Sequence, residues 1–247
     1  MLKTLRLLPA ILLTAIVHVP NIQAQPDLSG VWVLLQHDRP GGLFGAPADP
    51  VLSARGQEIV DDFRDGLAPD APERGAFCVN SGMPESMFGI AGYPLDIIQR
   101  EKRITFISEF QSEVRRVYLD GRAMPEDYPV TRNGYSVGRW IREDGGDVLE
   151  IDTALIKAWE VDKWVHSEAA AVKERISLVN ASKLTLGERQ AREVEADELV
   201  MQNIITVTDP VMYERPQTVT VWMKKVPDST LLEYNCNEYN WRNALKN

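Results

Sequence analysis

The chain has 247 residues, with 36 acidic and 27 basic side chains, a formal net charge of −9 and 44% hydrophobic residues. That length supports one sizeable core. An acidic surface repels phosphate backbones and anionic membrane surfaces, so no nucleic-acid partner is expected.

Residues 1–24 read MLKTLRLLPAILLTAIVHVPNIQA. Lys3 and Arg6 make a basic start, residues 7–19 are apolar apart from Thr14 and His18, and Ala24 is a small residue before Gln25. This is the order of a secretory signal peptide, whereas a membrane-spanning helix needs about 20 apolar residues. Cleavage is predicted after Ala24. It leaves residues 25–247 as a single β-rich domain, periplasmic or extracellular, with no further membrane span. An uncleaved N-terminal anchor is the alternative. The leader holds two of the basic residues and none of the acidic ones, so the exported part is more acidic still. Both cysteines, Cys78 and Cys236, lie in that part. An oxidising compartment favours pairing them. The bridge would close a loop of about 160 residues and contribute at most about 4–5 kcal/mol. Two buried free thiols are the alternative.

In chain order, the run VWVLLQ after Gly30 reads as a first strand, and residues 37–52 as a Gly/Pro-rich loop. Residues 53–64 form the best early helix, with Ser53 as N-cap. Residues 66–94 are a second, unusually long loop that contains Cys78. From residue 95 onward the segments are short and rich in β-branched and aromatic residues. They include LDIIQ, RITFISEF, EVRRVYLD, SVGRWIRE, VLEIDTALI, LVMQNIITVTD, QTVTVWMKKV and TLLEYNC. Turn signals at Asp120-Gly121, Asn133-Gly134, Asp144-Gly145-Gly146 and Pro227-Asp228 separate many of them. Residues 167–203 hold good helix formers and charge pairs four apart, which predicts helices there. A further hairpin over 172–189 is the alternative. The fold class expected is mainly β: an antiparallel barrel or strongly curved sheet with a few peripheral helices.

The segments PDLSGVW, CVNSGMP, EVRRVYLDGR, GYSVGRW, HSE at 166–168 and LLEYNC resemble those of an uncharacterised family of exported bacterial single-domain proteins. The resemblance implies export and one domain, and no reaction. A looser similarity, resting on Gly30 and Trp32, is to lipocalin- and calycin-like barrels. It implies that Gly30 lets the backbone bend and that Trp32 plugs a barrel end.

Residues 134–138 spell G-x-S-x-G, the form of a nucleophile elbow. That elbow needs a strand before the serine and a helix after it. Here Asn133-Gly134 makes a turn first, and a hairpin through 144–146 follows, so Ser136 is expected within an ordinary strand. Asp152 and His166 follow it too closely for an α/β-hydrolase triad. Only His37 and His166 remain after the leader, which excludes a three-histidine metal site. No metal and no cofactor is expected, since no phosphate loop or dinucleotide fingerprint occurs.

His166 stands out, beside Glu168 and after Trp159 and Trp164. A histidine near a carboxylate can act as general acid or base. Tyr135, Arg139 and Asp152, if they face inward, would complete a polar cluster with His166 and Glu168, which are the candidate catalytic residues. A purely architectural ion pair is the alternative. On the strand 113–118, Glu113, Arg115 and Val117 share one face, and Glu109 is a candidate partner across the hairpin. Trp159, Trp164, Arg115 and Met87 are the candidate ligand-binding residues. The expected function is to hold a small apolar or aromatic molecule, either with acid–base chemistry (isomerase, lyase or hydrolase) or without it. A structural envelope protein is the third alternative. The sequence sets no oligomeric state.

Overall fold

The computed structural model describes residues 25–37, 49–65, 80–88, 93–143, 145–161, 164–186, 189 and 193–234. The leader, Cys78 and Cys236 lie outside the described residues. Among those described, nine strands close into one barrel: β1 Gly30–His37, β2 Leu95–Arg100, β3 Arg103–Ser108, β4 Glu113–Tyr118, β5 Tyr135–Glu143, β6 Gly146–Ala154, β7 Ala171–Asn180, β8 Leu199–Thr208 and β9 Gln217–Val226. Each strand pairs with its neighbour in sequence, and β9 returns to β1. The mainly β, barrel-forming class is therefore as the sequence predicts.

The direction of the strands departs from expectation at one place. All joins are antiparallel except β4–β5, which is parallel and consists of Val117 opposite Ser136 and Tyr118 opposite Val137. A parallel pair requires the chain to cross from one end of the sheet to the other. Residues 119–134 make that crossing, with Gly121 at φ +75° and Gly134 at φ +61°.

Period-two alternation sets the two faces of the wall. On β3 Ile104 and Phe106 point inward, on β6 Leu149 and Ile151, on β8 Met201 and Ile205, and on β9 Val219, Val221 and Met223; all are buried in one core. Trp32 joins that core and donates its indole N–H to the Leu28 carbonyl at 2.8 Å. An irregularity between Leu34 and Gln36 turns Leu35 to the outside, where it packs with Trp222, Val200, Leu184 and Val194.

The helix α1, Ala54–Asp65, forms where the sequence places it. The Ser53 hydroxyl accepts from the Gly56 N–H at 3.1 Å, an N-cap bond. Ile59, Val60 and Phe63 make its buried stripe. A Cβ at Gly56 would stand 2.3 Å from the Met212 carbonyl, so the helix lies directly on the segment after β8.

Of the helices expected over 167–203, the first gives way to β7, which pairs with β8 from Ala171 with Thr208 to Asn180 with Leu199; between the two strands Leu186 and Arg189 are helical. Local helix propensity amounts to a few tenths of a kcal/mol per residue. It yields here to the burial of Val172, Ile176, Met201, Ile205 and Val207 in a shared core. Residues 231–234 of LLEYNC are not a strand either. Tyr234 packs edge-on against Tyr93 and Phe110 instead.

Candidate functional site

Five of the inward positions break the apolar lining of the barrel. Arg115 on β4, Ser136 on β5, Thr153 on β6, Glu174 on β7 and Asn203 on β8 are all buried. Arg115 Nε donates to Ser136 Oγ at 3.1 Å, and its Nη2 donates to Thr153 Oγ1 at 2.9 Å and to the Glu174 carboxylate. Ser136 and Thr153 share a hydrogen bond of 2.8 Å, and Asn203 Nδ2 donates to Glu174 Oε1 at 3.0 Å. The guanidinium carbon lies 5.6 Å from the centre of the Phe106 ring. One polar seam thus crosses five consecutive strands. A buried charge is tolerated only when paired and hydrogen-bonded, and this one is. The seam nevertheless keeps unspent capacity: Arg115 Nη1, Asn203 Oδ1 and Trp140 Nε1 are buried with no hydrogen-bond partner in the protein. Groups of that kind are rare in folded proteins and mark places where water or a ligand is held.

Two residues further back on the same face of β4, Glu113 reaches the covered end of the barrel. Residues 80–88 fold over this end, tied by the Met83 N–H to the Arg132 carbonyl at 2.9 Å. Gly82, at φ +75°, is required there, since a Cβ would stand 2.2 Å from the Arg132 oxygen. Burial pushes the Glu113 carboxyl up to about 7, against the opposing pull of Asn133, Arg115, the Gly82 backbone and Arg132. Its Oε1 has no partner. At neutral pH this carboxyl is divided between its two protonation states.

His166 lies in the same covered end and is fully buried. Its backbone pairs with Trp159 through bonds of 2.8 and 2.9 Å. Burial lowers the imidazole to about 4, although the Ser167 and Met83 backbone and Asp209 favour its charged form. Neither ring nitrogen has a well-formed hydrogen bond. The ring is therefore neutral at pH 7. Asp209 holds the following turn: it accepts from the Ser167 N–H at 2.6 Å and from the Ser167 hydroxyl at 3.0 Å. Ser167 caps this turn and the start of β7, not the helix expected after it.

The remaining predicted residues are not gathered around His166. Arg139 and Asp152 face outward, 3.6 Å apart, in a surface ion-pair lattice; Arg139 is 61% exposed and also pairs with Glu150. Lys173 and Arg175 of β7 complete the lattice, on Asp152 and Glu150 at 2.7 Å each. Tyr135 is buried but lies on the outer face, stacked on Tyr118 at 5.1 Å. Glu168 is exposed. The inward face of β5 is the other one, with Ser136, because β5 must offer its small residues to Arg115 and Val117. Trp164 and Met87 are buried in the covered end, where Trp164 meets Phe88 edge-on at 4.8 Å. Trp159 lies under the Arg132 guanidinium, 4.7 Å from its ring centre. Arg115 is central to the seam, but its acidic partner is Glu174 and not Glu109, which accepts from the Leu232 N–H at 2.7 Å.

Glu174, Thr153, Asn203 and Arg132 were not singled out by the sequence. The signal was there for two of them, as a polar residue in the middle of an apolar alternation: Val172-Glu174-Ile176 and Met201-Asn203-Ile205. It is visible only once those segments are taken as strands. Among the described residues no three histidine, cysteine or acidic side chains converge as a metal site requires. No helix there is long and apolar enough to cross a membrane, which says nothing of strands. Comparison with protein-family models and with curated proteins finds no match to the chain, so the molecule is described by its closed nine-stranded barrel, loosely consistent with the calycin-like architecture.

Proposed function

We propose that the chain is an exported small-molecule-binding barrel. Its ligand has an apolar or aromatic body, which lies among the lumen side chains, and a polar end, which meets Arg115 Nη1 and Asn203 Oδ1. The observation that carries this reading is a buried cation with an unused donor, set in a polar seam that crosses an otherwise largely apolar barrel interior. Pockets for small molecules are built in this way, mostly apolar with a few placed polar groups.

Native mass spectrometry of the protein secreted by its own host tests it. A retained small molecule is expected. The paired replacement Arg115→Met with Glu174→Met removes both charges at similar volume, and is expected to give a folded but bare protein. A bare native protein, or a paired variant that retains the same adduct, overturns the reading. The same spectrum tests export. The expected chain begins at Gln25, and a Cys78–Cys236 bridge makes it about 2 Da lighter than the reduced form.

A second reading, acid–base catalysis within the barrel, draws support from Glu113. Its buried carboxyl, held near 7, suits a general acid or base better than His166, whose ring stays neutral. If the retained molecule is turned over, Glu113→Gln is expected to lower the rate by about 10²–10⁴ and to remove an inflection near pH 7. Turnover left unchanged by that replacement removes Glu113 from the chemistry.

A further inference from the structure

The outer side of the β4–β5 join carries a different chemistry from the lumen. On β4 the inward residues are Glu113, Arg115 and Val117, and the outward ones are Val114, Arg116 and Tyr118. Where β4 and the crossing segment diverge, a pocket of about 300 Å³ opens to solvent. Three tyrosines contribute to its lining. Tyr118 and Tyr135 stack at 5.1 Å, and Tyr128 meets Tyr135 edge-on at 4.8 Å, so the rings form one continuous wall.

Two arginines also line this pocket. Arg116 is exposed and has no ion-pair partner among the described residues. Arg132 is half-buried, fixed over the Trp159 ring, and its Nη1 is buried with no hydrogen-bond partner. No carboxylate lines the pocket. In a chain with a net charge of −9 this is a local reversal of sign. A cationic recess concentrates anions, and guanidinium groups suit a planar carboxylate. The volume is at the lower end for ligand pockets and has room for one ring with its charged group.

We propose that this pocket is a second binding site, separate from the lumen, and that it takes a small aromatic carboxylate. Arg116 and Arg132 hold the carboxylate, and Tyr118, Tyr128 and Tyr135 hold the ring.

Titration calorimetry on residues 25–247 at low salt tests this, with benzoate as the probe and benzamide and inorganic phosphate as comparisons. Benzoate is expected to bind at least tenfold more tightly than either, and more weakly as salt is raised. Arg116→Gln, a surface change with no ion pair to break, is expected to weaken benzoate tenfold or more. Tyr128→Ala is expected to weaken benzoate and leave phosphate unchanged. The paired Arg115→Met and Glu174→Met variant is expected to bind benzoate like the native protein. The proposal is overturned if folded native protein fails to bind benzoate, or binds benzamide or phosphate equally well. It is also overturned if benzoate binding survives Arg116→Gln but is lost in the paired lumen variant, which would place the probe in the barrel.

Discussion

Arg115 and Glu174 are 3% and 0% exposed, so each depends on the other for its charge to be tolerated. Removing one partner leaves the other buried and alone, at a cost of about 3–5 kcal/mol. Arg115→Met should therefore lower the unfolding free energy by about that amount, whereas adding Glu174→Met should restore most of it; denaturant titration of both variants decides. If the double variant is as unstable as the single one, the seam stabilises through packing and not through pairing. Glu113 and His166 give a pH signature. The folded Glu113 carboxyl titrates at about 7, above its ordinary 4.5, so the folded state holds a proton that the unfolded state has lost between those values. Its contribution to stability falls as pH rises from 4.5 to 7. His166 does the opposite: lowered to about 4 from 6.5, it contributes stability that is present above 6.5 and lost as pH falls toward 4. The two slopes oppose each other between 4.5 and 6.5. Glu113→Gln should then be more stable than the native protein at pH 8, by on the order of 3 kcal/mol, with the advantage shrinking to nothing near pH 4.5. Unfolding curves at the two pH values check this, and a constant difference would contradict it. The need of Arg115 for a partner was legible in the strand 113–118. The partner itself was not, because Glu174 is 59 residues away and reaches it only across the closed barrel.

At the scale of elements, the hairpin of β5 and β6 was legible because a glycine turn separates two alternating runs. Its register runs from Tyr135 opposite Ala154 to Glu143 opposite Gly146, and Ser136 lies in an ordinary strand as expected. The second glycine of G-x-S-x-G has a packing role. A Cβ on Gly138 would stand 2.9 Å from side-chain carbons of both Leu119 and Val117, and 3.2 Å from the Glu150 carbonyl. Gly138→Ala should cost about 1–3 kcal/mol through overpacking. A thermal melt measures it, and an unchanged midpoint would show that Leu119 gives way. The orientation of this hairpin was not legible, since alternation names two faces without saying which one is buried. Here the small residues Ser136 and Gly138 face in, and Arg139 faces out to Glu150 and Asp152. β7 was hidden for another reason. Its alternation carries Lys173, Glu174 and Arg175 in succession, a pattern equally at home on a helix, and only pairing with β8 resolves it.

At the scale of the whole molecule, closure of the barrel was an expectation of class, and the parallel β4–β5 join had no signature in the sequence. That join has a mechanical consequence when set beside its opposite number. β1 meets β2 only through Gly30 opposite Ile97, Val31 opposite Asp96 and Trp32 opposite Leu95, while β4 meets β5 only through the pairs at Val117 and Tyr118. By contrast, β7 and β8 are laddered along their whole length. Hydrogen exchange should accordingly be faster across β2, β3 and β4 than across β6, β7 and β8, and the Arg115→Met, Glu174→Met pair should accelerate the first group alone; uniform exchange would refute this. The barrel is then a hoop with a door. Six strands form the frame, three form the leaf, and both edges of the leaf are lightly stitched. Arg115, riding on the leaf, is the bolt, and Glu174, fixed in the frame, is the keeper that receives it.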